Sequence, residues 1–290
     1  MRRDFCKMLL QGAIVLPVAS RLGTRLRAQE LVFACPMDPE VRSNQPGVCP
    51  RCGMKLAAGI PDPVEFHMDL SMTPRAPKPG QPVEFEFDIH DPWKERPVLN
   101  FLTVHEKLFH MFVVSQDLKV FVHDHPVYQT DGSFHYRYAF PQAGMYRILA
   151  DFYPDGATPQ LIAKTVFVPG STPTPVTLQR DYSTKDTANM QVELVTDPPQ
   201  PLAGVKTQLY FKLSPVEGFE KYLGAWAHML AASDDLVDLI HTHPFIADGG
   251  PQVEFNLVFP RARVYRIWVQ FQRNGMVNTA RFDVPVEELK

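Results

Sequence analysis

The sequence predicts an all-β protein, in which a small cysteine-based metal-binding knob precedes two tandem immunoglobulin-like β-sandwich domains. Three observations support this fold class. Several segments alternate apolar and polar residues, proline outnumbers glycine by 28 to 16, and one long residue pattern occurs twice. Alternation with a period of two is typical of strands with one buried face, and frequent proline favours turns and stiff connections over helices.

The duplicated pattern is clearest in two 17-residue windows, which begin at His110 and at His228 and share eight identical residues. The offset of 118 residues grows by one further along, where Tyr146-Arg147-Ile148 recurs as Tyr265-Arg266-Ile267. Self-similarity of this extent indicates two copies of one structural unit. We therefore expect a signal peptide at 1–28, a metal module at 31–58, sandwich repeats at 63–169 and 188–287, and a linker at 170–187.

Strict alternation marks individual strands in each copy. Residues 83–89 and 134–140 alternate in the first copy, and residues 253–259 alternate in the second. About seven such strands in roughly 100 residues, separated by Pro/Gly turns, are typical of an immunoglobulin-like sandwich. The prolines that follow Gly170 predict a stiff connection between the two copies.

The first 28 residues have the features of an export signal. Arg2, Arg3 and Lys7 precede an apolar run over 8–19, which is too short to span a membrane as a helix. The order Arg-Arg-x-Phe-x-Lys is similar to a twin-arginine signal, so we expect a periplasmic or otherwise exported protein.

The mature chain is predicted to be acidic. Without the leader, whose net charge is +5, the formal net charge falls from −3 to −8. This sign disfavours nucleic acid as a partner, because phosphate backbones attract basic surfaces. No later apolar run is long enough to predict an integral membrane span in the mature chain.

A compact group of cysteines predicts a metal-binding module. In Cys49-Pro50-Arg51-Cys52-Gly53, two thiolates three residues apart can reach one ion, and the glycine permits a tight turn. Cys35 begins a segment that matches such a knuckle only in part. Asp38 stands three residues later, at the position where a second ligand is expected. The candidate ligands are Cys35, Asp38, Cys49 and Cys52, with thioether sulfur for copper(I) available from Met37 and Met54.

Segments 33–41 and 46–56 together resemble the short heavy-metal-binding domain attached to copper-transporting P-type ATPases and to periplasmic adaptor subunits of copper and silver efflux systems. The resemblance implies that a copper or zinc ion is the cofactor. The family commonly has histidine where this chain has Asp38, and a hard carboxylate favours zinc(II) over copper(I). Two alternatives stay open: a purely structural zinc knob, or a disulfide between Cys49 and Cys52 in an oxidising compartment.

Histidines that recur in both copies predict further metal ligands. They are His110, His123 and His125 in the first copy and His228, His241 and His243 in the second. A hairpin turn centred on residues 116–117 would place His110 opposite His123, with Met111, Val113, Val120 and Val122 forming a core stripe on the other face. Three imidazoles so grouped could bind zinc(II) or copper(II). The alternative is that they are half-buried sheet residues that hydrogen bonds satisfy.

These features favour an exported copper- or zinc-binding protein that acts as a carrier or sink in metal homeostasis and resistance. The alternative is a structural zinc knob with β-sandwich domains that dock onto a partner, such as an efflux complex or a metal-receiving protein. An enzyme is not expected, since no Ser/His/Asp order, phosphate-binding glycine loop or paired carboxylate motif is present in the sequence.

Overall fold

The computed structural model describes residues 32–35, 41–51, 53–59, 64–93, 95–245 and 247–290. The predicted export signal lies outside these ranges, as do Met37, Asp38 and Cys52 of the cysteine module. Over the described residues the chain forms strands, turns and isolated bridges without a helix. No helix in this part of the chain is therefore long and apolar enough to cross a membrane. The all-β fold class is confirmed.

The cysteine module contains a small antiparallel sheet in the order β2-β1-β3. Its strands are β1 Phe33–Ala34, β2 Arg42–Ser43 and β3 Ala57–Ala58. The predicted knuckle forms a tight turn, in which the Cys49 N–H donates to the Met54 carbonyl at 2.7 Å and the Gly53 N–H donates to the Cys49 carbonyl at 2.9 Å. Gly53 has a φ of 75°, a conformation that glycine adopts without steric cost.

The first repeat is a sandwich of two four-stranded sheets. One sheet has the order β4-β5-β9-β8, and the other has the order β11-β10-β6-β7. The strands are β4 His67–Thr73, β5 Pro82–His90, β6 Phe109–Ser115, β7 Phe121–Asp124, β8 Val127–Tyr128, β9 Phe134–Ala139, β10 Gly144–Phe152 and β11 Gln160–Val168.

The second repeat has the same two-sheet plan. One sheet has the order β12-β13-β14-β18, and the other has the order β15-β19-β16-β17, with β20 also paired to β19. The strands are β12 Lys185–Asp186, β13 Gln191–Asp197, β14 Lys206–Ser214, β15 Phe219–Glu220, β16 His228–Ser233, β17 Leu239–Thr242, β18 Gln252–Val258, β19 Val264–Arg273 and β20 Met276–Pro285. The two tandem immunoglobulin-like sandwiches are thus confirmed.

The alternating runs bury one face in the core of each repeat. In β5, Val83, Phe85 and Phe87 are fully buried, whereas the glutamates between them are exposed. Burying an apolar side chain of this size stabilises the fold by about 1.5–3 kcal/mol. The alternation in the sequence therefore fixes which face of the strand lies inside.

Two strands depart from alternation, because they are covered on both faces. Every residue of β6 and every residue of β16 is buried. In β6, Met111 and Val113 belong to the core of the first repeat, whereas Phe112 packs in a separate cluster with Leu230 and Ala232 of β16. The sequence of a strand that is covered on both faces is a nearly continuous apolar run. The β6 and β16 sheets of the two repeats therefore pack against each other.

The packing between the repeats includes aromatic, polar and linker contacts. The rings of Phe121 and Trp268 stack with centroids 4.9 Å apart. Arg266 of the second repeat donates to the Leu118 carbonyl of the first at 3.0 Å. Leu178, in the segment predicted as a linker, is 6% exposed and packs in the same cluster. This segment therefore contributes to the contact between the repeats, besides connecting them.

The predicted register of the histidine hairpins is wrong by two residues. His123 pairs with Phe112, rather than standing opposite His110, and His241 likewise pairs with Leu230. The turn is longer than predicted because the Ser115 N–H donates to the Val120 carbonyl and Leu118 adopts a φ of 56°. A shift of two residues keeps each side chain on its face of the sheet. The predicted core stripe is consequently present.

Candidate metal centre

The histidines of the two repeats meet where the sheets pack together. His110 at the start of β6 and His228 at the start of β16 are both buried, with ring centroids 5.9 Å apart. His123 on β7 lies 5.3 Å from the ring of His228, and His241 on β17 lies 5.8 Å from the ring of His110. The two predicted triplets therefore lie together in one cluster, in which the triplet of the second repeat is also a close group by itself, whereas His110 and His123 are grouped with His228 of the other repeat.

Backbone carbonyls fix the orientation of His110 and His228. Nε2 of His110 lies 3.0 Å from the carbonyl oxygen of Val104, and Nε2 of His228 lies 2.9 Å from that of Tyr222. A carbonyl oxygen can only accept, so the proton of each neutral ring is on Nε2. The lone pair of each ring is consequently on Nδ1, which is directed towards the other histidines.

Side chains from the opposite repeat fix His123 and His241. Nδ1 of His123 donates to Oε1 of Gln270 at 2.7 Å, and Nδ1 of His241 donates to Oδ2 of Asp151 at 2.5 Å. Gln270 is itself held in this orientation, because its amide nitrogen donates to Thr279 at 3.2 Å. Each ring therefore keeps its lone pair on Nε2. A histidine held by a carboxylate or carbonyl through one nitrogen is a common arrangement for metal binding through the other.

The lone pairs converge at distances suited to a metal ion. Two nitrogens on a tetrahedral ion with bonds of roughly 2.0–2.1 Å lie about 3.3 Å apart. Nδ1 of His110 and Nε2 of His123 are 3.3 Å apart. The ligand atoms of His110, His123 and His228 all lie within 4.8 Å of one another, as do those of His228, His241 and His243. The arrangement of nitrogens thus fits a metal ion.

Hydrogen bonds alone do not satisfy this cluster. His125 can donate from Nε2 to Nδ1 of His110 at 3.2 Å, and His243 can donate in the same way to His228 at 3.1 Å. Nε2 of His241 is buried and has no hydrogen-bond partner among the described residues. An unsatisfied buried polar atom costs about 1–3 kcal/mol. A metal ion bound by this nitrogen would remove that cost.

Burial keeps the imidazoles neutral. Loss of solvation lowers the pKa of His110 to about 4 and that of His125 to about 3, and it holds the pKa of His123, His228 and His243 well below the ordinary value. Neighbouring imidazoles lower these pKa values further, because two adjacent rings cannot both carry a proton cheaply. Neutral imidazole is the form that binds metal. An all-imidazole donor set suits zinc(II) and copper(II).

Asp151 and Gln270 are site residues that the sequence analysis did not identify. They occupy equivalent positions, opposite His110 on β10 and opposite His228 on β19. Each is a single polar residue within an otherwise apolar, buried run of its strand. A single polar residue in a strand that is covered on both faces is the sequence feature that could have identified them.

In the cysteine module, Cys35, Cys49 and Met54 lie together in one buried cluster. Each is 1% exposed. Thiolate and thioether sulfur are soft donors, which suit copper(I), and thiolate also suits zinc(II). The described part of the donor set therefore fits a heavy-metal ion, while Asp38, Cys52 and Met37 lie outside the described residues.

Comparison with known families identifies two kinds of domain in the chain. A family model described as "Domain of unknown function (DUF8832)" matches residues 64–168 and again residues 184–288. A model described as "Heavy metal binding domain" matches residues 32–58. The second match supports the metal-binding module that the sequence motif predicts.

Two solved structures illustrate distant matches to the chain. The adhesin InvE of Yersinia pseudotuberculosis is 11% identical, with a TM-score of 0.24 over 76% of this chain, which spans 60% of the InvE chain. The adhesin FdeC of Escherichia coli is 14% identical, with a TM-score of 0.28 over 80% of this chain and 67% of that chain. No curated protein matches. Similarities at this level carry no information about function.

Proposed function

This chain belongs to the family described as "Domain of unknown function (DUF8832)", and we propose that it binds copper or zinc as an exported carrier or sink in metal homeostasis and resistance. One observation carries the proposal. Two imidazoles from each repeat, those of His110, His123, His228 and His241, direct lone pairs inward while their other nitrogens donate outward. The heavy metal binding domain at 32–58 gives independent support for metal binding.

The proposed stoichiometry is two ions per chain. One ion is held by the cysteine module and one by the histidine cluster. The cluster is assigned a single ion because His228 belongs to both groups of close ligand atoms and has only Nδ1 free to bind. We propose that His110, His123, His228 and His241 share this ion, since one close group joins His110 and His123 to His228 and the other joins His241 to His228, and four imidazoles would complete its coordination with protein. We therefore expect binding without turnover, since a catalytic zinc site keeps one position open for water or substrate.

The proposed location is the periplasm or another compartment outside the cytoplasm. The basic start and short apolar run of the first 28 residues favour export, by the twin-arginine route. A protein exported in the folded state could acquire its metal before export. Its proposed recipient is an efflux or metal-receiving protein. Fractionation of cells that express the full chain would test this, because retention in the cytoplasm contradicts the proposal.

Elemental analysis of the natively exported protein tests metal binding directly. The wild-type protein is compared with Cys49→Ser, with His123→Ala and with both substitutions together. We expect two equivalents of copper or zinc in the wild type, one in each single variant and none in the double variant. The carrier proposal fails if His123→Ala leaves the metal content unchanged.

Docking onto a partner protein is a second candidate function. Trp93, Leu99 and Val127 are 79%, 54% and 65% exposed. Tyr128, which follows Val127, donates to the Leu99 carbonyl at 2.8 Å, so the segments that carry Leu99 and Val127 lie close together. Exposed apolar residues that cluster mark protein contacts. One zinc ion that is lost only in Cys49→Ser would favour this alternative, with a structural metal module.

A further inference from the structure

The cysteine module is packed onto the segment that supports the histidine cluster. Cys35, Cys49 and Met54 share a buried cluster with Val104 and Tyr153 of the first repeat. Val104 is also the residue whose carbonyl oxygen holds His110 in place. Val104 thus contacts both candidate metal sites.

A cavity of about 400 Å³ lies between the two sites. Cys49 and Arg51 of the module line one part of it, and His105 and His243 line another. His243 approaches His228 of the cluster, with Nε2 and Nδ1 3.1 Å apart. The cavity therefore has a thiol from one site and an imidazole in contact with the other site.

His105 is placed between the two sites and is not satisfied there. Its ring lies 3.8 Å from that of His243 and 5.3 Å from that of His228, measured between centroids. Nε2 of His105 is buried without a hydrogen-bond partner among the described residues. A buried imidazole nitrogen in this state is suited to accept a metal ion.

The turn that carries His105 does not require histidine. The second repeat has the same turn, closed by a Tyr222–Ala225 bridge where the first has Val104–Lys107. Leu223 occupies the position of His105 there, and the two residues have φ values of 50° and 48°. The backbone conformation is thus formed equally well with leucine. Both turns reach the cavity beside the module, and the first has His105 where the second has Leu223.

We propose that His105 and His243 form a transfer path, by which a metal ion moves from the thiolates of the cysteine module to the histidine cluster. The cargo is a d10 ion that both thiolate and imidazole bind, copper(I) or zinc(II). In the steps that leave the module, one metal–nitrogen bond forms as one metal–sulfur bond breaks, and in the later steps one metal–nitrogen bond replaces another. The oxidation state stays constant, and the released thiolate takes a proton from water. This inference rests on the proposed function and adds the direction in which the metal ion moves, from the module to the cluster.

A more open groove of about 610 Å³ also reaches the cluster, at His123 and Gln270. Over the described residues its lining contains no cysteine. Metal that enters there would bypass the module. The test must therefore distinguish delivery through the module from direct entry.

The test compares the rate of transfer with the final occupancy of the cluster. Copper(I), and in a second series zinc(II), is supplied at one equivalent to the metal-free mature protein. Loss of sulfur ligation is followed over time by X-ray absorption on freeze-quenched samples. His105→Leu reproduces the side chain found at Leu223, so the turn is expected to remain folded. His135→Leu, at a partly exposed position, is the control.

We expect His105→Leu to slow the sulfur-to-nitrogen change roughly tenfold or more, the scale on which removing a supporting group acts at a metal site. Final occupancy of the cluster should equal that of the wild type and of His135→Leu. Equal rates in His105→Leu and wild type would overturn the transfer path and leave the proposed function standing. So would filling of the cluster in Cys49→Ser at the wild-type rate. A wild-type cluster that never acquires nitrogen-bound metal would overturn the proposed function itself.

Discussion

Asp151 of the first repeat accepts a hydrogen bond from His241 of the second, with 2.5 Å between Oδ2 and Nδ1. Both side chains are almost completely buried. The contact sets the tautomer of His241 and leaves its Nε2 directed into the cluster without a partner among the described residues. A residue of one sandwich therefore orients a candidate metal ligand of the other. The contacts that orient His123 and His241 exist only while the two repeats are packed together.

Asp151→Asn is expected to weaken metal binding at the cluster about 10–100-fold, because the carboxylate orients His241 by accepting a hydrogen bond from its Nδ1. Affinity for zinc(II) is measured by competition with a chromophoric chelator. Asp69→Asn removes an exposed carboxylate that contacts the exposed His67, and serves as the matched control. Equal affinities in the two variants would show that the Asp151 contact is irrelevant to the metal.

His228→Gln is expected to remove the cluster ion while the module keeps its own. Glutamine can still donate to the Tyr222 carbonyl, so the fold should persist, whereas the Nδ1 ligand shared by both close groups is lost. Elemental analysis should fall from two equivalents to one. His90→Gln, outside the cluster, should retain both. Two equivalents in His228→Gln would refute the shared role of His228.

The metal-free protein is expected to lose stability as the pH falls from about 6.5 to about 4. Burial lowers the pKa of His110 to about 4 and of His125 to about 3, whereas the unfolded chain has ordinary histidine pKa values. The unfolded state then binds more protons, so the free energy of unfolding falls by roughly 1.4 kcal/mol per pH unit for each such histidine. Urea denaturation across this range measures the slope. A free energy of unfolding that does not change with pH would contradict burial of these histidines in their neutral form.

Trp268→Ala is expected to weaken metal binding without touching a ligand. Trp268 is 3% exposed and stacks on Phe121 across the contact between the repeats. Its loss should destabilise the protein by about 3–5 kcal/mol and loosen the pairing of the histidines. Thermal unfolding and zinc(II) affinity are measured together. Trp93→Ala, at a residue 79% exposed, should change neither. If Trp268→Ala binds zinc(II) with wild-type affinity, metal binding at the cluster does not depend on the packing of the repeats.

Local patterns were sufficient to predict the sandwiches, the duplicated unit and the knuckle turn. The alternation in β5 follows from burial of one face, and Gly53 has the positive φ that a tight turn requires. The hairpin register was wrong because Leu118 takes a left-handed conformation in a longer turn, yet the even shift kept His110 and His123 on the predicted face.

The joining of the two histidine triplets could not be read from local pattern. His241 meets Asp151 across 90 positions of sequence, and His123 meets Gln270 across 147. Periodicity reports which face of a strand is buried but not what covers it. The continuous apolar runs of β6 and β16 indicate a second covering layer, and only the packed structure identifies that layer as the other repeat.

The contacts of His123 with Gln270 and of His241 with Asp151 are reciprocal, as in an isologous homodimer whose two subunits have been fused. Two unlinked copies of one polypeptide must carry the same residue at both equivalent positions. A single chain is free of that constraint, and this one has carboxylate at one position and amide at the other. It likewise has His105 in one turn and Leu223 in its counterpart. Fusion thus permits the two sides of the metal centre to carry different residues, so that a metal ion can enter preferentially from one side.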